Sequence, residues 1–177
     1  METLRSPYPA HAAEDSRPAA RHSVSVRHNF ETAHRLPHLA GKCVNLHGHS
    51  WWMEATVAAP LLHEGTVVEF GAFKGRVRSW IDTHLDHGAM LGADDPLAGV
   101  LTAHGSKVFR FGAHDPGPAE RFAEGLAYPT VEAVAEMLAR VVDDALRALP
   151  GAVGAFVRQV SVSETHVNTA GWRNARH

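Results

Sequence analysis

The sequence predicts an α+β fold: an antiparallel sheet of four strands with two helices packed on one face. Two runs near the start, Val24 to His34 and His47 to Ala58, alternate with a period of two. The period lengthens to three and four between Phe73 and Leu85, and again between Val131 and Leu149. Alternation returns from about Ala155 to Thr165. A period of two belongs to strands and one near 3.6 to helices.

In the first strand Val24, Val26, His28, Phe30, Thr32 and His34 share a face, opposite Ser23, Ser25, Arg27, Asn29 and Glu31. Pro37 and Gly41 mark a loop. The second strand puts His47, His49, Trp51, Met53 and Val57 on one face and Ser50, Trp52, Glu54 and Thr56 on the other. Pro60 and Gly65 bracket a turn, and Thr66 to Phe70 read as a short third strand. Phe73, Val77, Trp80, Ile81, His84 and Leu85 then form the apolar stripe of a helix.

The second helix begins after Pro129, with Thr130 as N-cap and Glu132 favourably placed against the helix dipole. Pro150-Gly151 ends it. The last strand places Glu164 on the face of Phe156, Val160 and Val162. Residues 92–128 fit this plan badly, because Pro96, Gly99, Gly105, Gly112, Pro116, Gly117 and Pro118 interrupt them. Only Lys107 to Phe111 reads as a short strand there, and a long segment without regular structure is usually functional or mobile.

With 177 residues, 45% hydrophobic and 20% charged, the chain fits one globular domain. Residues 1–21 read as a disordered tail and 22–177 as a single domain with an insertion at about 92–128. The net charge of −2 gives no electrostatic footprint for nucleic acid. No stretch approaches the roughly 18 apolar residues of a membrane helix. A lone cysteine and the lack of an apolar signal segment lead us to expect a cytoplasmic protein.

The chemistry concentrates in Cys43-Val44-Asn45-Leu46-His47-Gly48-His49. Histidines at i and i+2 of a strand point to the same side and can grip one metal ion. His34 can lie opposite them across a hairpin, with His28 and His38 as rival ligands. Cys43 can serve as a fourth ligand, an inert small hydrophobe, or a reactive thiolate. Asp86-His87 can be an acid–base pair or a solvated helix end. Glu164, a carboxylate on an apolar face, needs a partner with N–H donors.

Taken in order, several segments resemble the 6-pyruvoyltetrahydropterin synthase / 6-carboxytetrahydropterin synthase family. They are Phe30-Glu31-Thr32-Ala33-His34-Arg35-Leu36-Pro37-His38, Cys43 with His47-Gly48-His49-Ser50, Val67-Val68-Glu69-Phe70 with Lys74, Leu85-Asp86-His87, Pro129-Thr130-Val131-Glu132 and Val160 to Thr165. The resemblance implies the tunnelling fold, in which sheets of several subunits join edge to edge into a barrel, commonly as a hexamer of two trimers. It implies Zn2+ held by His34, His47 and His49. Cys43, Asp86 and His87 would be catalytic, and Glu164 would anchor a pterin triphosphate substrate.

The three residues between Cys43 and His47 resemble the branch that converts 7,8-dihydroneopterin triphosphate to 6-carboxy-5,6,7,8-tetrahydropterin, with release of acetaldehyde and triphosphate, in queuosine and deazapurine biosynthesis. The pyruvoyl branch is the alternative, followed by a zinc- or pterin-binding module without turnover. A cupin-type metalloenzyme is a further rival, since Gly41, His47, His49 and Glu54 resemble the first cupin motif, but the second motif is absent. Glu69 stands where the family usually has Asp, and residues 92–128 are longer than in compact members.

Overall fold

The computed structural model describes residues 20–175. Of the tail expected at 1–21, residues 1–19 lie outside the described residues. The Arg21 N–H already donates to Ala59 O at 3.2 Å. Strands β1 (His22–His34) and β2 (His47–Ala59) form the long antiparallel ladder that the alternation predicts. They pair from His22↔Ala59 to His34↔His47. Their inward residues Val26, Phe30, Trp51, Met53, Ala55 and Val57 are buried.

The third expected strand, Thr66 to Phe70, is absent. The chain makes only a bridge between His63 and Thr66 and enters helix α1 (Phe70–His84). Glu69 is the reason: its carboxylate accepts the N–H groups of Gly71 (2.7 Å) and Ala72 (2.5 Å) and so caps the helix. Those two bonds hold its pKa below the usual range. Helix α1 buries Phe73, Val77 and Ile81 against the sheet, as its three–four spacing predicts.

Residues 92–128 contain more order than the sequence suggested. Strand β3 (Gly88–Gly92), helix α2 (Pro96–Ala103) and strand β4 (Val108–Phe111) form a β–α–β unit, followed by a 3-10 turn at Glu120–Ala123. Strand β4 falls where Lys107 to Phe111 reads as a strand, whereas β3 and α2 were not expected. Helix α3 (Val131–Arg147) starts at the expected cap, where Thr130 Oγ1 accepts the Ala133 N–H. Val134, Leu138 and Val142 of α3 face the same core as α1.

Strands β5 (Phe156–Ser163) and β6 (Thr169–Arg173) complete a six-stranded sheet of order β4-β3-β1-β2-β5-β6. Two predictions are corrected here: the sheet has six strands instead of four, and it is mixed. Strand β3 runs parallel to β1 and β4 parallel to β3, because helices supply the crossovers. Helices α1 and α3 do share one face. Helix α2 covers the opposite face at the β3–β4 edge, where Ala98 packs with Ala89, Leu91 and Ala33.

A register shift between Thr56 and Val57 also corrects the last strand's pattern. It skips Arg158, so Val157 turns inward with Val160 and Val162, and Phe156 falls to the other face. Among the described residues no helix is long and apolar enough to cross a membrane.

Candidate metal centre

His34 ends β1 and His47 begins β2, and the ladder pairs them directly. Thr32 pairs with His49, so all three histidines lie on the inward face at one end of the sheet. Ring centroids are 4.6 Å apart for His34–His47, 5.3 Å for His34–His49 and 4.8 Å for His47–His49. One ligand atom from each lies within 4.8 Å of the others. The rival ligand His28 is engaged elsewhere, with Nε2 2.9 Å from Asp82 Oδ1. His38 stacks on Tyr128 instead.

Two of the three rings are tethered through Nδ1. His34 Nδ1 lies 2.9 Å from Pro129 O, and His47 Nδ1 lies 2.8 Å from Asn45 O. A carbonyl can only accept, so each Nδ1 carries a proton, and in the neutral ring it is Nε2 that presents the lone pair. His34 Nε2 is buried with no hydrogen-bond partner, a cost that a metal would remove. Burial lowers the His34 pKa below 6.5, partly offset by the Pro129 carbonyl and reinforced by His47 and His49. Burial also lowers His49, against the pull of Glu164. Neutral imidazoles are the form that binds metal. The residues present fit a zinc ion.

Trp51 floors the cluster. It is fully buried, edge-on to His34 at 5.0 Å and to His49 at 5.8 Å, and its Nε1–H donates to Thr32 O. Glu164 follows β5, with Oε2 3.8 Å from His34 Nε2 and 3.9 Å from His49 Nε2. Asn168 Nδ2 donates to its other oxygen at 3.2 Å. A cleft of about 680 Å3 opens beside the cluster, lined by His49, Glu164, Ser50, Trp52, Arg27 and His166 among others.

Cys43 sits half-buried in a 3-10 turn, Lys42–Val44, on the loop joining β1 to β2. Its carbonyl accepts the Leu36 N–H at 2.7 Å. Asp86 and His87 are fastened to the main chain of Glu31, in the strand that ends at His34. Asp86 Oδ1 accepts the Glu31 N–H (2.8 Å), and the His87 N–H donates to Glu31 O (2.6 Å). Asp86 Oδ2 lies 2.8 Å from His87 Nδ1, and the His87 side chain is 79% exposed. His87 has φ 54°, an uncommon conformation for a non-glycine residue. Burial would raise the Asp86 pKa, but the bonds from Glu31 and His87 outweigh it and hold it below the ordinary value.

The structure thus gathers His34, His47, His49 and Glu164, puts Cys43 on the adjoining loop, and leaves Asp86-His87 as an oriented pair tied to the Glu31 main chain. Sequence reasoning missed the tethers, since main-chain carbonyls of Asn45 and Pro129 leave no residue-type signal. It could have found Trp51, which shares the strand face of His47 and His49.

Residues 23–175 match the family described as 6-pyruvoyl tetrahydropterin synthase. A probable 6-carboxy-5,6,7,8-tetrahydropterin synthase of Halobacterium salinarum is 31% identical over 142 residues, 80% of each chain. The 6-carboxy-5,6,7,8-tetrahydropterin synthase of Rickettsia typhi is 38% identical over 86 residues, 47% of this chain and 62% of that protein. The match thus spans less than two thirds of the Rickettsia relative's length. Among solved structures, the 6-pyruvoyl tetrahydropterin synthase of Caenorhabditis elegans superposes with TM-score 0.55 at 19% identity, covering 86% of this chain and 95% of that one. An uncharacterised protein of Wolinella succinogenes gives TM-score 0.65 at 20% identity, covering 86% and 98%. These structures share the fold, and on the sequence match the chain belongs to the 6-pyruvoyl tetrahydropterin synthase family.

Proposed function

We infer that this chain is a zinc-dependent enzyme that converts 7,8-dihydroneopterin triphosphate to 6-carboxy-5,6,7,8-tetrahydropterin, releasing acetaldehyde and triphosphate. The observation that carries this reading is the three-histidine cluster, buried at His34, with Glu164 beside it, in a family with relatives named for that product. His34, His47 and His49 would hold the zinc, which would supply Lewis acidity toward substrate side-chain hydroxyls. Glu164 anchors the pterin through its N–H donors and so holds the side chain toward the histidines. Cys43 takes and returns protons at the side-chain carbons. Asp86 orients His87, whose exposed ring serves as the second acid–base group.

His87 is held by the main chain of Glu31 with its side chain exposed, whereas His34 of the cluster is buried. The edge strands β4 and β6 each have one neighbour in the sheet. Pairing of such edges between copies would build a homo-oligomer, which we take to be a hexamer of two trimers. His87 would then serve the cluster of a neighbouring protomer.

Incubation of the zinc-loaded chain with dihydroneopterin triphosphate tests the assignment. Acetaldehyde with the carboxypterin is the expected result. Pyruvoyltetrahydropterin would move the chain to the sister branch, and no conversion with zinc fully bound would overturn both.

A further inference from the structure

Residues 92–128 make three separate contacts, directly or through the turn that follows, with the segment that begins at the first histidine. Arg35 Nε lies 3.0 Å from Asp95 Oδ2, whose side chain is 1% exposed. Neither atom meets hydrogen-bond geometry, so that contact is Coulombic. The other Asp95 oxygen caps α2 by accepting the Leu97 N–H. At the far end of the segment, the Tyr128 ring stacks on His38 with centroids 3.7 Å apart and planes 22° apart. The next carbonyl, Pro129 O, holds His34.

Tyr128 is 37% exposed but is braced on one side. A Cβ at Gly92 would meet Tyr128 Cδ1 at 3.3 Å, so the ring lies against bare backbone of β3. His38 has no such support, being exposed on the loop between Leu36 and Cys43. That loop is otherwise closed by the Leu36 N–H bond to Cys43 O and the Leu39 N–H bond to Leu36 O.

We propose that the 92–128 segment with its closing turn is a positioning element for the thiol: Asp95, Tyr128 and Pro129 fix residues 34–38, and the Tyr128–His38 stack holds closed the loop that carries Cys43. The value of that placement for turnover rests on the function inferred above, but the placement itself does not. It acts by suppressing local opening of the loop, which is where an exposed connection is least stable.

Because Cys43 is the only cysteine in the sequence, alkylation of the folded, zinc-loaded full chain by iodoacetamide reports on this loop alone. Tyr128→Ala and His38→Ala should each raise the alkylation rate about fivefold, the population change expected for one lost aromatic stack. The double variant should be no faster than either single one, and Tyr128→Phe should stay near the parent rate. Parent-like rates in His38→Ala, multiplying effects in the double variant, or a Tyr128→Phe rate as fast as Tyr128→Ala would each overturn the proposal. If Tyr128→Ala does not fold, His38→Ala on the exposed loop and Tyr128→Phe still decide it. No pterin is present in this assay, so a failure of the proposed reaction leaves its result intact.

Discussion

His34 and His47 face each other across the last rung of the β1–β2 ladder, each with its Nδ1 against a main-chain carbonyl. The carbonyls come from different places: Asn45 from the cysteine loop, Pro129 from the turn before α3. The lone pairs that a metal needs are therefore set by two loops that the strands themselves do not determine.

Replacing His34 by Ala should weaken zinc binding by more than a hundredfold, beyond the ~10–100-fold typical of lost supporting contacts. Chelator competition on the folded protein measures this. Cys43→Ala should keep one zinc per chain and lose turnover. If zinc leaves with the thiol, Cys43 is a ligand and its proton-transfer role is wrong.

Acidification should destabilise the metal-free chain. His34 and His49 have folded pKa values lowered from 6.5, so the unfolded state takes up protons first as pH falls. Stability is unaffected well above 6.5, declines as pH drops through it, and levels off once the folded histidines are protonated too. Thermal melts between about pH 7.5 and about pH 5.5 should show a falling Tm, with a shallower slope in His34→Ala.

Thr130→Ala removes the cap of α3 and should cost about 1 kcal/mol of stability. The same turn aims Pro129 O at His34, so zinc affinity should also fall, by roughly tenfold. A stability loss with unchanged affinity would show that the carbonyl is placed by something other than the cap.

Asp86→Ala leaves the Glu31 N–H without its acceptor and frees His87. Turnover should drop about a hundredfold while zinc content holds. Mixing and reassembling Cys43→Ala with His87→Ala protomers should recover part of the activity when thiol and imidazole come from different copies. Complete absence of recovery, with mixed oligomers demonstrated, would place both groups in one protomer.

The long elements were legible in the sequence because burial imposes a regular period on many residues at once. The strands bearing His34, His47 and His49, the stripe of α1, and the Thr130 cap all follow from that. Strands β3 and β6 were not legible, because five residues carry too little period to register, whereas β4 falls where Lys107 to Phe111 reads as a strand. Glu69 reversed the local reading at Thr66 to Phe70 by capping a helix where apolar residues suggested a strand.

By itself, then, the sequence determined which residues share a strand face, and so which imidazoles can converge. Only the tertiary structure decided which nitrogen each of two rings presents, that Glu164 lies beside the cluster, and that Asp86-His87 is tied to the Glu31 main chain. Those outcomes depend on main-chain carbonyls and loop contacts between residues far apart in the chain, and neither leaves a mark on residue type.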